Sequence, residues 1–277
     1  MDELKIEDGN YLVSFIDILG FKKRIKDNSQ FPNLEKVYNS LDRVLYYLPE
    51  VHRTGLQNKY YSIYAGKPLS QYAEEILKNR YNFSDSIIFY IKCSDIEEEY
   101  TKQLFAISWI TNAFIIESLI HDDRVFQLPL RGAIAYGPAL MDRDKKIHIG
   151  QPIVNAVELS GYQDWVGGAL HHSVTIPQTI IENLVGYNKQ IYEYPSIPIK
   201  DCCQEKHLIK YALNWVQQHP AGVKWFKERK GKQLRPLLRD ICYHIEKHDW
   251  GTHLEKKENT KKFAEKICDE YDTNGII

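Results

Sequence analysis

An aspartate inside an apolar run is the first residue of this chain with chemistry to offer. The run is Tyr11-Leu-Val-Ser-Phe-Ile-Asp17-Ile-Leu-Gly20-Phe21, whose aliphatic and aromatic members predict a strand covered on both faces. A lone carboxylate there is costly unless it is paired or ligates a metal. Gly20 lets the chain turn sharply and leaves main-chain N–H groups to approach an anion. The helix expected next carries Lys22, Lys23, Arg24 and Lys26 in its first turns. Carboxylate, turn and helix N-terminus together suit a metal ion held beside a phosphate. They equally describe a strand end at which Asp17 caps the following helix. A second carboxylate, Asp85, falls at a tight turn in Tyr81-Asn-Phe-Ser-Asp85-Ser-Ile-Ile-Phe-Tyr-Ile-Lys92, where turn chemistry alone also accounts for an Asp.

The elements that must position these residues follow from periodicity and breakers. Residues 22 to 49 predict a helix, with Val37, Leu41, Val44 and Leu45 at helical spacing ahead of Pro49. Residues 50 to 80 are polar and tyrosine-rich, with a short helical pattern from Tyr72 to Leu77. Two strands meet at the Asp85 turn. Residues 97 to 121 give the clearest helix, opened by Glu97 to Glu99 and carrying a wide apolar face. A strand is expected from Leu128 to Ala139, a short one at Ile147 to Ile149, and a helix from Gly150 with Pro152 in its first turn, closed by Gly161. A strand around Ala169 to Ile176 and a short helix at Gln178 to Leu184 follow. Beyond about residue 200 the chain reads as helical, its Lys256 to Lys262 stretch forming one solvated face of a last helix. We therefore expect a domain over residues 1–200 and a helical C-terminal region over 201–277.

Composition bounds the partners. The 277 residues carry a net charge of −1 with 26% charged side chains, which argues against a dedicated nucleic-acid binder. The charged N-terminus lacks the apolar core of a signal peptide, and no apolar run reaches membrane-spanning length. The five cysteines, Cys93, Cys202, Cys203, Cys242 and Cys268, fit neither a zinc motif nor a disulfide framework. A cytoplasmic location is the expectation. The adjacent His171 and His172 are expected on opposite faces of a strand, which disfavours a shared metal site.

The order of elements is that of a ferredoxin-like βαββαβ arrangement with additions, an α+β fold. Residues 13 to 160 also resemble the catalytic domain of class III nucleotidyl cyclases. Phe15-Ile-Asp17-Ile-Leu-Gly20-Phe21 resembles that family's Phe-x-Asp-Ile-x-Gly-Phe motif. Asp85 resembles the second metal aspartate, with Ser84 where the family has Gly. Arg131-Gly-Ala-Ile-Ala-Tyr-Gly137 resembles the Arg-x-Gly-Ile-x-x-Gly strand, and Gly150-Gln-Pro-Ile-Val-Asn-Ala156-Val-Glu-Leu159 the Gly-x-x-Val-Asn-x-Ala-x-Arg helix. The resemblance implies a cyclase-type sheet covered by helices and a homodimer with sites at the subunit interface. It also implies two Mg²⁺ or Mn²⁺ ions on Asp17, Asp85 and the Ile18 carbonyl, and a nucleoside triphosphate on the loop Ile18, Leu19, Gly20, Phe21 and Lys22. Among relatives, the bacterial antiphage Pycsar cyclases, which make cyclic UMP or cyclic CMP, are the neighbourhood it suggests.

The chain departs from that family in two places. An ungapped alignment sets Val154 at the position of the ribose-orienting Asn and Glu158 at that of the transition-state Arg; a one-residue shift brings Asn155 to the first. A carboxylate is unfavourable beside a pentavalent phosphate, so another cation must substitute, with Arg131, Lys200 and the Lys224 to Lys232 stretch as candidates, or turnover has been lost. The purine-reading pair becomes Tyr81 and His148, which suits a smaller pyrimidine or mere core filling. Two functions remain open: a metal-dependent cyclase acting on an NTP, UTP or CTP in particular, and a degenerate nucleotide-binding or regulatory relative.

Overall fold

The computed structural model describes residues 7–21, 26, 35, 69–120, 129–142, 145, 147–186, 189–218, 235–247, 250 and 253–274. The predicted helix over 22–49 falls outside them except at Lys26 and Glu35, both helical, and so does the Lys224 to Lys232 stretch.

The apolar run around Asp17 forms β1 (Glu7–Ile18), buried continuously from Tyr11 to Ser14. On one flank β1 pairs antiparallel with β3 (Ser86–Lys92), itself the partner of β2 (Arg80–Phe83). On the other it pairs antiparallel with β4 (Leu130–Asp142). The order β2-β3-β1-β4 with all neighbours antiparallel is the ferredoxin-like core expected from the sequence. The sheet then extends through β6 (Gly167–Leu170), parallel to β4, and through β8 (Tyr211–Leu213) and β7 (Ile191–Glu193), while β5 (Ile147–Gly150) forms a hairpin arm with β4.

Both sheet faces are covered, which is why β1 lacks simple alternation. Helix α1 (Leu69–Lys78) and helix α2 (Glu97–Ile120) lie together on one face, where Ser14 Oγ meets Thr111 Oγ1 at 2.8 Å. Gly132 leaves room there for Thr111, whose methyl would stand 3.0 Å from an added Cβ. Helix α3 (Gln151–Tyr162) packs on β4 and β1 from the other side. Helix α2 is long and apolar enough to cross a membrane, yet 78% of that stretch is buried inside the protein. It is a core helix, apolar around its whole circumference because sheet, helices and the turn after β8 surround it.

Three sequence expectations change. Helix α3 runs through Gly161 to Tyr162, because its terminal carbonyls are taken by cations, Arg131 and Lys200 both donating to Gly161 O. The strand expected over 169–176 ends at Leu170. Residues after 200 are not uniformly helical, since Tyr211–Leu213 pairs with both β6 and β7; the short helix α4 (Ile181–Leu184) precedes this region, whose described α-helices are α5 (Arg235–Lys247) and α6 (Leu254–Asn274). Helix α6 docks on the core through Phe263, fully buried among Trp165, Tyr192, Tyr194 and Trp215.

The arm and α3 are joined at Gly150, where an added Cβ would stand 2.4 Å from Ala139 Cβ and 2.7 Å from Pro138 O. Neither neighbour can move without parting the β4–β5 pair. Gly150→Ala should therefore cost about 2–3 kcal/mol, read as a lower denaturant midpoint at unchanged slope.

Candidate active site

The register of three strands assembles the polar end of the sheet. Asp17 pairs with Ser86 on β3 and with Arg131 on β4, so all three side chains leave the same face in one row. Asp85 occupies the turn just before Ser86, held by a bond from Ile18 N–H to its carbonyl at 3.2 Å. Ser84 takes φ +53° in that turn, the left-handed conformation that favours glycine. The position where the resemblance expects a Gly thus has the backbone a Gly would adopt. Gly20 likewise has φ +74°, and Phe21 is helical, so the turn read from the sequence is present.

Asp17 is an ion-paired carboxylate. Arg131 donates to its Oδ2 from Nε at 3.0 Å and Nη2 at 2.8 Å, and Ser86 Oγ stands 3.4 Å from Oδ1. Arg131 Nη1 also donates to the carbonyls of Gly161 and Gln163 at 3.4 and 3.2 Å. Burial raises the Asp85 pKa; its own backbone N–H draws it back, and the negative charge of Asp17 raises it further. The donor set, two carboxylates on neighbouring strand ends beside the Ile18 backbone, fits a hard divalent cation such as Mg²⁺ or Mn²⁺. The described bonds of Asp17 run across strands, to Arg131 and Ser86; the first turn of the helix it was expected to cap lies outside the described residues.

The loop after β1 offers less to an anion than expected. The Ile18 N–H is spent on Asp85 O, and Leu19 donates to Pro129 O at 2.9 Å. Of the loop residues expected to meet an anion, Gly20 and Phe21 are described beyond these two, and Lys22 lies outside the described residues.

Tyr81 and His148, 67 positions apart in the chain, do meet. Along β5, Ile147 and Ile149 face solvent while His148 turns inward against Tyr81 (ring centroids 5.5 Å) and Tyr90 (5.1 Å). Burial lowers the His148 pKa, so the ring is neutral near pH 7 and presents one donor and one acceptor. Its buried Nδ1 has no hydrogen-bond partner among the described residues. Tyr90, which the sequence reading passed over, also lines a cavity of about 590 Å³ with Tyr11, Asn79, Lys92 and Met141.

Asn155 lies elsewhere. Its Oδ1 accepts from Gln151 and its Nδ2 stands 3.5 Å from His171 Nδ1, roughly 9 Å along α3 from Gly161 at 1.5 Å per residue. Val154 and Glu158, one turn apart, are both exposed on α3. His171 and His172 are stacked at 4.0 Å, and both approach Glu205 Oε2, at 3.3 and 3.4 Å. The expectation that they diverge is overturned, because β6 has already ended and strand alternation no longer applies. With Glu205 they form the His/acid cluster found among the described residues. Ser173 N–H donates to His171 Nδ1 at 3.1 Å, which leaves the ring proton on Nε2, aimed at Glu205.

No family model and no curated protein sequence matches the chain. Solved structures similar to it include two cyclases. One is the adenylyl cyclase CyaB from P. aeruginosa, at TM-score 0.42 and 12% identity over 76% of this chain and 96% of that one. The other is the guanylyl cyclase Cya2, at TM-score 0.36 and 10% identity over 64% and 78%.

Proposed function

We propose that this protein is a metal-dependent nucleotidyl cyclase, converting a nucleoside triphosphate to a 3′,5′-cyclic nucleotide and pyrophosphate. The observation that carries the reading is the convergence of Asp17 and Asp85 at one end of the ferredoxin-like sheet, with Arg131 in the same row. The ribose 3′-oxygen bonds to the α-phosphorus as the bond to pyrophosphate breaks. Asp17, Asp85 and the Ile18 carbonyl would hold two divalent ions, which would acidify that hydroxyl, its proton leaving to solvent water, and would neutralise the departing phosphates. Arg131 fixes the Asp17 carboxylate, and Gly20 and Phe21 lie on the loop that would meet the phosphates. The site gains its power from positioning and fixed charge, as phosphoryl transfer requires.

The neutral His148 beside Tyr81 supports UTP or CTP as substrate, an aromatic wall with one donor and one acceptor suiting a pyrimidine edge. Tyr81→Ala should shift the preference among the four NTPs by about tenfold, the scale of one lost polar contact, with little change in melting temperature. An unchanged preference would remove Tyr81 and His148 from base selection.

A second copy of the chain completes the proposal. Ile149 is 62% exposed, and Leu140, Ile147, Val154 and Val157 are also exposed, which supports a homodimer joined through the arm and α3. Ile149→Glu should shift the sedimenting species to monomer. A cytoplasmic role in antiphage signalling carries over from the family resemblance alone. The exposed Glu158 favours the competing reading, a cyclase-like domain that binds nucleotide without turnover. Incubating the purified protein with each NTP and Mn²⁺, identifying products by mass spectrometry and titrating each NTP by calorimetry separates the two: a cyclic nucleotide establishes the enzyme, and saturable binding with unchanged NTP in all four reactions establishes the binder.

A further inference from the structure

Lys256 belongs to a stretch whose composition reads as a solvated helix face, yet its side chain is only 16% exposed. Helix α6 is held against the segment after α3 by Val166 N–H donating to Thr260 Oγ1 at 2.8 Å and by Asn259 Nδ2 donating to Asp164 O at 3.1 Å. That docking turns Lys256 Nζ inward, to 3.6 Å from Asp164 Oδ1. Next to it Arg131 and Lys200 share one acceptor, the Gly161 carbonyl, and Arg131 reaches on to Asp17. Among the described residues, Arg131 donates to the carbonyls of Gly161 and Gln163, Lys200 to that of Gly161, and Lys256 faces the side chain of Asp164, so three cations gather on the stretch that ends and follows α3, and Arg131 ties that stretch to Asp17.

Capping the C-terminus of α3 explains Arg131 and Lys200, because both bond a terminal carbonyl. It does not explain Lys256, whose described partner is a side chain. Gathering three cations is unfavourable where too few anions face them: burial first, then the charge of Arg131, press the Lys256 pKa below the usual lysine range, Lys200 adding to this against the opposing pull of Asp164. A dense polyanion relieves that repulsion, and a nucleoside triphosphate reaching the Asp17 end brings one.

We infer that Lys256, with Arg131 and Lys200, forms a polyphosphate-binding cluster, so that the C-terminal helix supplies a substrate-binding cation. The inference rests on the nucleoside-triphosphate reading above and assigns the C-terminal region a part in the site. Lys256 binds and orients the phosphate chain; the chemistry stays at Asp17 and Asp85.

The test is calorimetric titration of the full chain with inorganic tripolyphosphate in EDTA, so that no metal contributes. The wild type should bind, Lys256→Ala should bind about tenfold more weakly, as expected for one charge-assisted hydrogen bond, and Lys256→Arg should retain most of the affinity. Asp164→Asn should bind more tightly, because it removes a competing carboxylate. The exposed Lys262 on the same helix serves as control, and Lys262→Ala should leave binding unchanged. If Lys256→Ala binds like wild type, or if Lys256→Ala and Asp164→Asn both weaken binding together with thermal stability, the pair is structural and the inference falls. The fate of the cyclase reading is separable. A cyclic product made by a protein whose tripolyphosphate binding ignores Lys256 overturns only the cluster. Lysine-dependent binding with no cyclic product upholds the cluster and overturns the cyclase.

Discussion

Asp17→Asn and Asp85→Asn should both abolish metal-dependent turnover while moving stability in opposite directions. Loss of either ligand removes several kcal/mol of transition-state charge stabilisation, a fall on the order of 10³-fold in rate. The stability signs differ because the two carboxylates have different neighbours. Asp17 accepts two bonds from Arg131, so its amide variant leaves a partly buried guanidinium without its counter-charge, at a cost of about 1–3 kcal/mol. Asp85 has a folded pKa raised by burial and by Asp17. A raised carboxyl pKa means its contribution to stability is fully present below the unfolded value, about 3.9, and is lost as pH rises through the folded value. At neutral pH the charged Asp85 therefore opposes folding, and Asp85→Asn removes the penalty. Melting curves at pH 7 in EDTA should rank Asp85→Asn at or above wild type and Asp17→Asn below it. Added Mn²⁺ should raise the wild-type midpoint and neither variant's. Wild-type Mn²⁺ affinity in both variants would refute the two-metal assignment.

Long, strongly patterned elements were legible before any coordinates, and short or long-range features were not. β1 and α2 announce themselves because an apolar run and a helical repeat each extend over many residues. The Asp85 hairpin was readable from turn chemistry, and the left-handed Ser84 shows why a Gly suits that place. β7 and β8 have three residues each, too few for alternation to register, so the region after 200 read as purely helical. Arg131 was visible as a candidate cation, but its pairing with Asp17 depends on a register across 114 positions that no local pattern encodes. His171 and His172 do not diverge because strand alternation stops at Leu170, where β6 ends, and not at Ile176. Lys256 carries no sequence signal at all: a lysine in a charged helix looks solvated until the docking of Phe263 and Thr260 turns it inward.

Arg131→Ala should be among the most damaging single changes outside the carboxylates, and its phenotype discriminates between the roles open to the residue. The guanidinium spans three elements, tying β1 through Asp17 to the end of α3 through Gly161 and to the segment beyond through Gln163. Truncation strands a largely buried carboxylate and loosens the seat of α3, which together cost about 2–4 kcal/mol. Arg131→Lys keeps the charge but cannot reproduce a planar fork reaching a carboxylate and two carbonyls at once, so only part of the stability returns. Function separates further. If Arg131 positions Asp17, the alanine variant keeps or gains Mn²⁺ affinity, since Asp17 loses a competing cation, yet turnover per folded molecule falls because the carboxylate is no longer held. If Arg131 also meets the triphosphate with Lys200 and Lys256, tripolyphosphate binding in EDTA falls as well. If its role is scaffolding alone, both quantities match wild type once corrected for the folded fraction. Mn²⁺ titration, tripolyphosphate titration and product assay on the one variant resolve these cases; we expect retained metal binding, weakened polyphosphate binding and lost turnover.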